Sequence, residues 1–371
     1  MPNVKLVNVR KTFAKGRVVA VDQVNLHVHD KEYFALVGPS GCGKTTTLRM
    51  IAGLVEPDEG QIFIGDRLVS ELPPEDRDIG YVFQQYALFP NMDVWDNVTY
   101  GPTVKAWEDR KRERIGREML QMVRLYERAD AVPRELSGGM MQRVALSRAL
   151  AAGAELLLLD EPLGALDAKI RTELRYEIRK LVKDLDLTAI HVTHDQSEAM
   201  AVSDRIAVMK KGRILQVGTP HELYMKPQGI FVANFIGESN FLEGRIVRKE
   251  GKAGVIVRLR GDFDVKSRSN GRLKAGAKVV LAIRPEAFEL VQGKEKLENS
   301  LVGVIEKVRF EGTDIRYEIR LVNDEKVIVV RPSLGGEWLE EDNNVTIGFS
   351  PEKSHMFPYP EKGLRAELEL E

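Results

Sequence analysis

The chain has 371 residues, which is too long for one ordinary hydrophobic core and predicts two or three domains. Its 55 basic and 56 acidic residues give a net charge of −1, so it offers no broad electrostatic attraction for nucleic acid or anionic lipid. No apolar run approaches the roughly 18 residues that cross a bilayer, the start lacks a signal-peptide pattern, and the single cysteine excludes an intrachain disulfide, so we expect a cytoplasmic protein.

A glycine-rich loop lies between two predicted elements near the amino end. Residues 33–37 form a short apolar run typical of a buried strand in a parallel sheet, and residues 46–52 read as the helix behind the loop. The intervening sequence follows the pattern GxxxxGK[ST], in which glycines let backbone N–H groups converge on phosphate oxygens. A plain glycine-rich turn is the alternative, but strand, loop and helix follow in the order that phosphate binding requires. The predicted triphosphate-binding residues are Gly38, Pro39, Ser40, Gly41, Cys42, Gly43, Lys44, Thr45 and Thr46.

The side chains of this loop have separate predicted roles. The helix dipole adds positive potential, Lys44 supplies a full charge near the terminal phosphates, and Thr45 places its hydroxyl on Mg²⁺. Cys42 has the simpler role of a small residue that fits, and we expect no redox role for it. The loop therefore predicts that the chain binds a nucleoside triphosphate with Mg²⁺.

Two contrasting segments follow between residues 86 and 131. The first contains Pro90 and Pro102 and is interpreted as loop-like; its apolar residues are Tyr86, Leu88, Phe89, Trp95, Val98 and Tyr100. The second is charge-rich over residues 105–117 and has apolar residues at helical spacing, which are Ile115, Met119, Met122 and Tyr126. We interpret the second as part of a helical subdomain that spans about residues 87–155, with its charges on a solvated face.

A helix start with two glycines lies within residues 136–149. Ser137 is a favoured N-cap residue, and Gly138 and Gly139 open the helix. The bare N–H groups of such a helix end form a second potential anion site. The alternative is a well-capped helix without a catalytic role.

Four leucines at residues 156–159 lead into two carboxylates, Asp160 and Glu161. This is the pattern of a buried strand that delivers acidic groups to its carboxyl end, where ligands of open parallel sheets bind. Asp160 is the expected partner of Mg²⁺, directly or through water, and Glu161 is expected to deprotonate the water that attacks the γ-phosphate. Alone, the pattern also fits an ordinary strand exit; paired with the phosphate loop, it favours catalysis.

Two histidines follow along the next predicted strand. His191 and His194 suggest a metal pair, but their odd spacing sends the side chains of a strand to opposite faces. We therefore reject metal ligation by histidine.

Residues 136–149 resemble the LSGGQ signature of ATP-binding-cassette (ABC) ATPases, together with the helix that follows it. The resemblance covers the first 236 residues almost continuously. It implies that Ser137, Gly138 and Gly139 serve a γ-phosphate held by the opposite subunit of a head-to-tail dimer. The segment rich in aromatic residues would form the family's groove for a coupling helix of the membrane subunit, or alternatively the core of the subdomain.

The other landmarks of the family match in the expected order. Gln84 matches the Q-loop glutamine that senses Mg²⁺ and the attacking water, Asp167 matches the D-loop residue that crosses the dimer interface, and His194 matches the switch histidine on the γ-phosphate. Phe13 matches the aromatic residue that stacks on adenine. Individually, each of these residues could be an ordinary surface or core residue, so their joint order carries the interpretation.

One residue departs from the signature. Met140 stands where the family usually has glutamine, and methionine cannot supply a side-chain amide. Because the serine and glycines that meet phosphate are intact, we predict that activity survives and that a Met140→Gln variant has the higher turnover. Steady-state phosphate release from both proteins tests this, and complete inactivity of the unmodified chain would contradict it.

After residue 236 the apolar pattern alternates with period two, as in residues 277–283, 301–305 and 326–330. This β-rich part resembles the small-barrel (TOBE-like) region of importer ATPases, which Asn240 opens and whose IRPE motif contains Arg284. Such barrels also bind oligonucleotides, but no basic stripe interleaves with stacking aromatics here. Dimer contact or regulation is the favoured role.

The resemblance implies an α/β fold class: a P-loop NTPase parallel sheet with a helical subdomain over residues 1–236, plus an OB-like barrel over residues 237–371. It implies an ATPase that uses ATP and Mg²⁺, works as a homodimer or with a paired ABC subunit, and binds integral membrane permease subunits on the cytoplasmic face of the membrane. A solute-binding protein would be an indirect partner, and no nucleic acid is expected.

The solute is the least determined property. Residues 87–90, 164–167 and 236–241 most resemble the importer branch that serves polyamines, iron or small anions. The general two-domain plan is equally similar to sugar importers, so the resemblance favours the first branch only slightly. The alternative function is a soluble ABC ATPase in nucleic-acid repair or translation, although such proteins usually carry two cassettes or a long coiled-coil insertion, and neither is visible here.

Overall fold

The computed structural model describes residues 2–164, 166–250, 254–268, 273–293, 297–334 and 338–369. The chain divides between Leu223 and Tyr224 into two compact units, each with its own hydrophobic core. Within the described ranges, none of the helices is both long and apolar enough to cross a bilayer.

The first unit contains ten strands and six complete helices among its described residues. The strands are β1 (Val4–Phe13), β2 (Val18–Val28), β3 (Tyr33–Val37), β4 (Glu59–Ile64), β5 (Arg67–Leu68), β6 (Ile79–Val82), β7 (Leu156–Asp160), β8 (Thr188–Thr193), β9 (Arg205–Lys210) and β10 (Arg213–Gly218). The helices are α1 (Lys44–Ala52), α2 (Val94–Val104), α3 (Asp109–Met122), α4 (Gly138–Ala151), α5 (Ala168–Asp184) and α6 (Gln196–Val202). A further helix, α7 (Pro220–Met225), contains the division between the units.

The sheet that positions the predicted site has the order β10-β9-β3-β8-β7-β6, and all its pairings except β10 with β9 are parallel. A second, antiparallel sheet has the order β2-β1-β4-β5. In the parallel sheet Val37 pairs with Thr193, and Asp160 pairs with Val192. The carboxyl ends of β3, β8 and β7 therefore meet at one edge, where parallel sheets bind ligands.

The four leucines of β7 show why this strand reads as a continuous apolar run. Leu157 and Leu159 pack with α2, α3, α4 and α5, whereas Leu156 and Leu158 pack in the core around α1. All four side chains are fully buried, and such burial contributes about 1.5–3 kcal/mol for each leucine. Both faces of the strand are thus covered, as the sequence pattern predicts for a parallel sheet.

The helical part of the first unit differs in two places from the sequence-based expectation. The supposedly loop-like segment contains helix α2, which Asp93 caps by accepting from Asp96 N, and Pro102 lies inside its last turn, where few hydrogen bonds are lost. Helix α3 ends at Met122, so Tyr126 lies beyond it, in a 3-10 turn. Of the residues predicted at helical spacing, Met119 is buried and Met122 is exposed.

The described residues of the second unit form two five-stranded antiparallel sheets that share one core. Its strands are β11 (Asn240–Glu250), β12 (Gly254–Leu259), β13 (Asp264–Arg268), β14 (Lys278–Ile283), β15 (Phe288–Gln292), β16 (Leu301–Phe310), β17 (Asp314–Leu321), β18 (Lys326–Pro332), β19 (Asn344–Phe349) and β20 (Ser354–Pro358), and its helices are α8 (Ile230–Phe235) and α9 (Leu364–Leu368). The sheet orders are β13-β12-β11-β14-β20 and β15-β19-β16-β17-β18.

The period-two runs of the sequence are confirmed as strands in this unit. The apolar runs at residues 277–283, 301–305 and 326–330 correspond to β14, β16 and β18. Alternate residues face the core, as in β17, where Ile315, Tyr317, Ile319 and Leu321 are buried.

Arg284 connects the start of the second unit to its sheet. The buried guanidinium donates to the carbonyl oxygens of Ala233 at 2.8 Å, Glu238 at 2.9 Å and Tyr224 at 3.0 Å, and it lies 4.1 Å from the centre of the Tyr224 ring. Residues 224–239 therefore pack with the second unit. The domain boundary at 236/237, which the family resemblance implies, stays a prediction.

We predict that Arg284→Ala destabilises the second unit by about 2–4 kcal/mol, because a largely buried guanidinium is lost and three carbonyl oxygens, one buried and two partly buried, lose a charged donor. The measurement is urea unfolding followed by the fluorescence of Trp338, with Trp95 and Trp107 replaced by phenylalanine. The control is Arg258→Ala, which removes an exposed arginine paired with Asp264 and should change the unfolding free energy far less than Arg284→Ala does. Equal unfolding free energies for the two variants would contradict the conclusion that the Arg284 hydrogen bonds stabilise the second unit.

Candidate nucleotide site

The loop between β3 and α1 has a shape that only glycine allows at two positions. Gly43 has φ 107°, and a Cβ there would lie 2.2 Å from the carbonyl oxygen of Ala20. A Cβ on Gly38 would lie 2.2 Å from the carbonyl oxygen of Met209. The loop curls against β9 and β2 and leaves a cavity of about 200 Å³, which is lined by Ala20, Ser40, Gly41, Gly43, Lys44, Thr45, Thr46 and Glu161.

Lys44 directs its positive charge back over the loop. Its ammonium donates to the carbonyl oxygens of Gly38 at 2.8 Å and Pro39 at 2.9 Å, and the residue is almost completely buried. Both partners are neutral, so the charge is not cancelled by these contacts. A buried cation beside backbone N–H groups at a helix start is an environment that attracts a phosphate group.

Cys42 packs beneath the loop rather than lining its cavity. A Cβ on Gly38 would lie 2.6 Å from the Cys42 sulfur, and Cys42 is 4% exposed. Burial raises the pKa of the thiol, so the reactive thiolate is disfavoured at neutral pH. The packing supports the simpler role of a small residue that fits.

Asp160 lies at the end of β7 with both carboxylate oxygens engaged. Thr45 Oγ1 donates to Oδ1 at 2.9 Å, and the Tyr81 hydroxyl donates to Oδ2 at 3.0 Å. Burial, reinforced by the neighbouring carboxylate, raises the pKa of Tyr81, so its hydroxyl stays a donor. Tyr81 has no motif around it; it reaches Asp160 only because β6 pairs with β7, so sequence reasoning missed it.

The oxygen atoms of Thr45 and Asp160 suit Mg²⁺, which prefers hard oxygen ligands. The described residues contain no group of three or more His, Cys, Asp or Glu that could hold a metal alone. Mg²⁺ usually binds through one or two protein groups together with substrate phosphates, so the pair fits such an ion. When bound there, Mg²⁺ would neutralise charge on the β- and γ-phosphates.

The three predicted catalytic residues lie together at the same edge of the sheet. Glu161 Oε2 accepts a hydrogen bond from Gln84 Nε2 at 2.9 Å and lies 3.3 Å from His194 Nδ1. Glu161 has a left-handed φ of 46°, and its N–H donates to the carbonyl oxygen of Val192 at 2.9 Å. Strand β8 thus holds Glu161 in a strained conformation, which is common at functional sites. Because Gln84 Nε2 donates to Glu161, the side-chain oxygen of Gln84 is the atom left to bind a cation.

His191 and His194 have different surroundings. His191 is 1% exposed, with Nδ1 at 2.9 Å from the Tyr33 hydroxyl and Nε2 at 3.3 Å from Glu198. The His194 side chain is 58% exposed and faces Glu161. His191 therefore belongs to a buried polar cluster, and His194 to the candidate site.

Ser137, Gly138, Gly139 and Asp167 form a second group. Ser137 Oγ caps α4 by accepting from Met140 N at 3.3 Å, and Asp167 Oδ1 caps α5 by accepting from Ile170 N at 3.0 Å. A Cβ on Gly138 would lie 2.9 Å from Leu166 Cδ2, so the two caps are packed side by side. The Asp167 carboxylate thus has a structural partner in its own chain. Ala165, within the matched D-loop, lies outside the described residues.

Phe13 lies at the carboxyl end of β1, where it pairs with Val18. It is 42% exposed, and the Lys11 ammonium is 5.7 Å from the centre of its ring. An exposed ring at this position is available for stacking on a base, which contributes about 1–3 kcal/mol in base–aromatic contacts generally.

Comparison with known proteins decides the family. Residues 21–164 match the family described as ABC transporter, and residues 281–357 match the TOBE domain. The spermidine/putrescine import ATP-binding protein PotA of Thermobifida fusca (strain YX) is 41% identical over 368 residues, covering 96% of this chain and 94% of that protein. The chain belongs to the ABC transporter family. Within it, the chain is an importer-type ATPase with a carboxyl-terminal TOBE domain.

Other relatives agree with this membership. The corresponding PotA protein of Pseudomonas fluorescens (strain Pf0-1) is 43% identical over 328 residues, covering 88% of this chain and 90% of that protein. A solved dimeric structure of an ATP-binding cassette bound to ADP and Pi is 34% identical, with a TM-score of 0.53 over 58% of this chain and 98% of that chain.

These comparisons confirm four predictions: the family, the α/β P-loop fold with a β-rich second domain, ATP hydrolysis, and ATP with Mg²⁺ as cofactors. They do not assign roles to single residues of this ABC ATPase. The roles of the site residues therefore follow from the geometry as proposals.

Proposed function

We propose that this ABC ATPase drives the import of a polyamine of the spermidine or putrescine type. The observation that carries the solute class is that relatives 41–43% identical over most of their length are spermidine/putrescine import ATP-binding proteins. The motifs of the sequence favour polyamine, iron or a small anion slightly over sugar, and the relatives favour polyamine among these.

At the level of residues, we propose that the loop amides and Lys44 hold the phosphates and that Thr45 and Asp160 hold Mg²⁺. Glu161 accepts a proton from the attacking water, since its carboxylate lies at the edge of the same cavity. Gln84 and His194 hold Oε2 of Glu161 from two sides and so fix the direction in which this carboxylate faces.

We further propose that the ATPase acts as a dimer on the cytoplasmic face of the membrane, bound to permease subunits, with a solute-binding protein as an indirect partner. Two features support this assembly: the relatives are import ATP-binding proteins, and the related cassette was solved as a dimer. Ser137, Gly138 and Gly139 would then meet the γ-phosphate of the partner subunit. Whether the partner is a second copy or a paired ABC subunit is decided by the composition of the purified complex.

The test of solute class uses proteoliposomes that contain this chain, the permease subunits encoded beside it and their solute-binding protein. We expect ATP-dependent uptake of radiolabelled spermidine or putrescine, unaffected by excess maltose or ferric iron. The matched control is the same complex with Glu161→Gln, which should show no uptake. Uptake of maltose or iron without polyamine would overturn the solute class while leaving the ATPase assignment intact.

Affinity purification from native membranes tests the transport role itself. Integral membrane subunits that co-purify with the chain support the importer. Recovery with ribosomes or nucleic acid, without membrane subunits, would instead support a non-transport ABC ATPase of repair or translation.

A further inference from the structure

The segment that follows Gln84 has a strained backbone without glycine. Tyr86 has φ 60° and Ala87 has φ 49°, so two consecutive residues with side chains lie in the left-handed region. The N–H of Ala87 donates to the carbonyl oxygen of Gln85 at 2.6 Å, which closes a three-residue turn of the uncommon, strained kind with positive φ. Such a conformation costs free energy and persists only where surrounding groups hold it.

Arg148 on α4 holds this turn. Its Nη1 donates to the carbonyl oxygen of Ala87 at 2.8 Å, and its Nη2 donates to that of Tyr86 at 3.0 Å. The guanidinium carbon lies 5.3 Å from the centre of the Phe89 ring. One planar guanidinium thus binds the carbonyl groups of both left-handed residues, a geometry that its fixed fork of donors allows and that lysine cannot reproduce.

The same segment contacts α4 again at its amino end. Tyr86 is 7% exposed, and its hydroxyl lies 3.7 Å from the position of a Cβ on Gly138. Helix α4 therefore meets the segment at two places: at the turn that Ser137 caps and, more than two turns further on, at Arg148.

The backbone at the far end of the segment, at Phe89, is held by a second residue. Asn97 in α2 is fully buried. Its Oδ1 accepts a hydrogen bond from the N–H of Phe89 at 2.9 Å, and its Nδ2 donates one to the carbonyl oxygen of Phe89 at 3.1 Å. The chain between Gln84 and Phe89 is thus anchored at Phe89 by α2, whereas the strained turn next to Gln84 is held by α4.

We propose that Arg148 is a positioning residue for ATP hydrolysis: by binding the carbonyl groups of Tyr86 and Ala87, it keeps the Gln84 amide on Glu161. The proposal rests on the proposed function only in assigning Gln84 and Glu161 to the hydrolytic site. Arg148 touches none of the phosphate-binding side chains. Its loss should therefore lower the rate of the chemical step and leave nucleotide binding unchanged.

The test compares kcat, KM and the Kd of a fluorescent ATP analogue for Arg148→Ala, Arg148→Lys and the unmodified chain. We expect Arg148→Ala to lower kcat by about 10- to 100-fold, the effect of a small misplacement of a catalytic group, with KM and Kd changed less than about threefold. Arg148→Lys should lose nearly as much, because one ammonium cannot replace the two parallel hydrogen bonds. The matched control is Arg143→Ala, which removes an arginine of the same helix that pairs with the half-exposed Glu177 and should keep kcat within about twofold.

A second variant separates positioning from a general loss of folding. Ala87→Gly relieves the left-handed strain, so in the Arg148→Ala background it should recover several-fold of the lost kcat. In the unmodified background it should change kcat less than about twofold. Equal kcat for Arg148→Ala and Arg143→Ala, or a parallel loss of ATP binding, would overturn the proposal. If instead the proposed hydrolytic site itself were wrong, the Glu161→Gln variant would hydrolyse ATP at the unmodified rate, so the two failures can be told apart.

Discussion

Replacing Glu161 with glutamine should lower steady-state ATP hydrolysis by about 10²- to 10⁴-fold while ATP binding persists. The loss is that of a general base, since an amide cannot take a proton from water at neutral pH. The substitution keeps the size of the side chain, and a glutamine oxygen can still accept the bond that Gln84 Nε2 now donates at 2.9 Å. The geometry around the site should therefore survive, and only the chemistry should be lost.

Two measurements separate this outcome from a loss of folding. Binding of a fluorescent ATP analogue should stay within about threefold of the unmodified chain, and with Mg²⁺ and ATP the variant should accumulate as a closed dimer in size-exclusion chromatography. The matched control is Glu155→Gln, an exposed carboxylate just before the same strand, which should hydrolyse ATP normally. Normal hydrolysis by the Glu161→Gln variant would remove Glu161 from the role of base.

The parts of the site that could be predicted from sequence are those built from adjacent residues. The loop from Gly38 to Thr45, the strand that ends at Asp160 and the cap at Ser137 are each a continuous sequence pattern, so their chemistry is readable from neighbouring residues. The parallel sheet then brings them together because the carboxyl ends of β3, β7 and β8 share one edge. The distant contacts that also shape them, such as those of Gly38 and Gly43 with the carbonyl oxygens of Met209 and Ala20, are not readable from neighbouring residues.

The parts that sequence missed depend on contacts between distant residues. Tyr81 reaches Asp160, and Arg148 reaches Tyr86 and Ala87, across separations of 79, 62 and 61 positions. No sequence motif around Tyr81 or Arg148 predicts which distant residue it contacts.

The fold shows the same limit. Pro102 suggested a break, yet α2 includes it in its last turn. In the second unit, the alternation of apolar residues identified strands, but it contained no information about the pairing of β11 with β14 or of β16 with β19.

Lys44→Met should weaken ATP binding by roughly 10- to 100-fold or more, because each hydrogen bond from a charged donor contributes about 1.5–3 kcal/mol and 1.4 kcal/mol corresponds to a factor of ten. Methionine keeps most of the side-chain volume, so the loop around Gly38 and Gly43 should keep its shape. The loss should then appear in the Kd measured by titration calorimetry, with only a modest fall in the unfolding midpoint, because the carbonyl oxygens of Gly38 and Pro39 lose their donor while methionine fills most of the space.

The control for this loss of charge is Lys180→Met, which removes an exposed lysine of α5 and should leave Kd unaltered. A Kd for Lys44→Met within about threefold of the unmodified value would mean that phosphate is held elsewhere. A large fall in the unfolding midpoint would show instead that the bonds from Lys44 to the carbonyl oxygens of Gly38 and Pro39 serve the fold. The Kd and the unfolding midpoint report different things, because the Lys44 ammonium attracts phosphate through its charge and stabilises the loop through its hydrogen bonds to carbonyl oxygens.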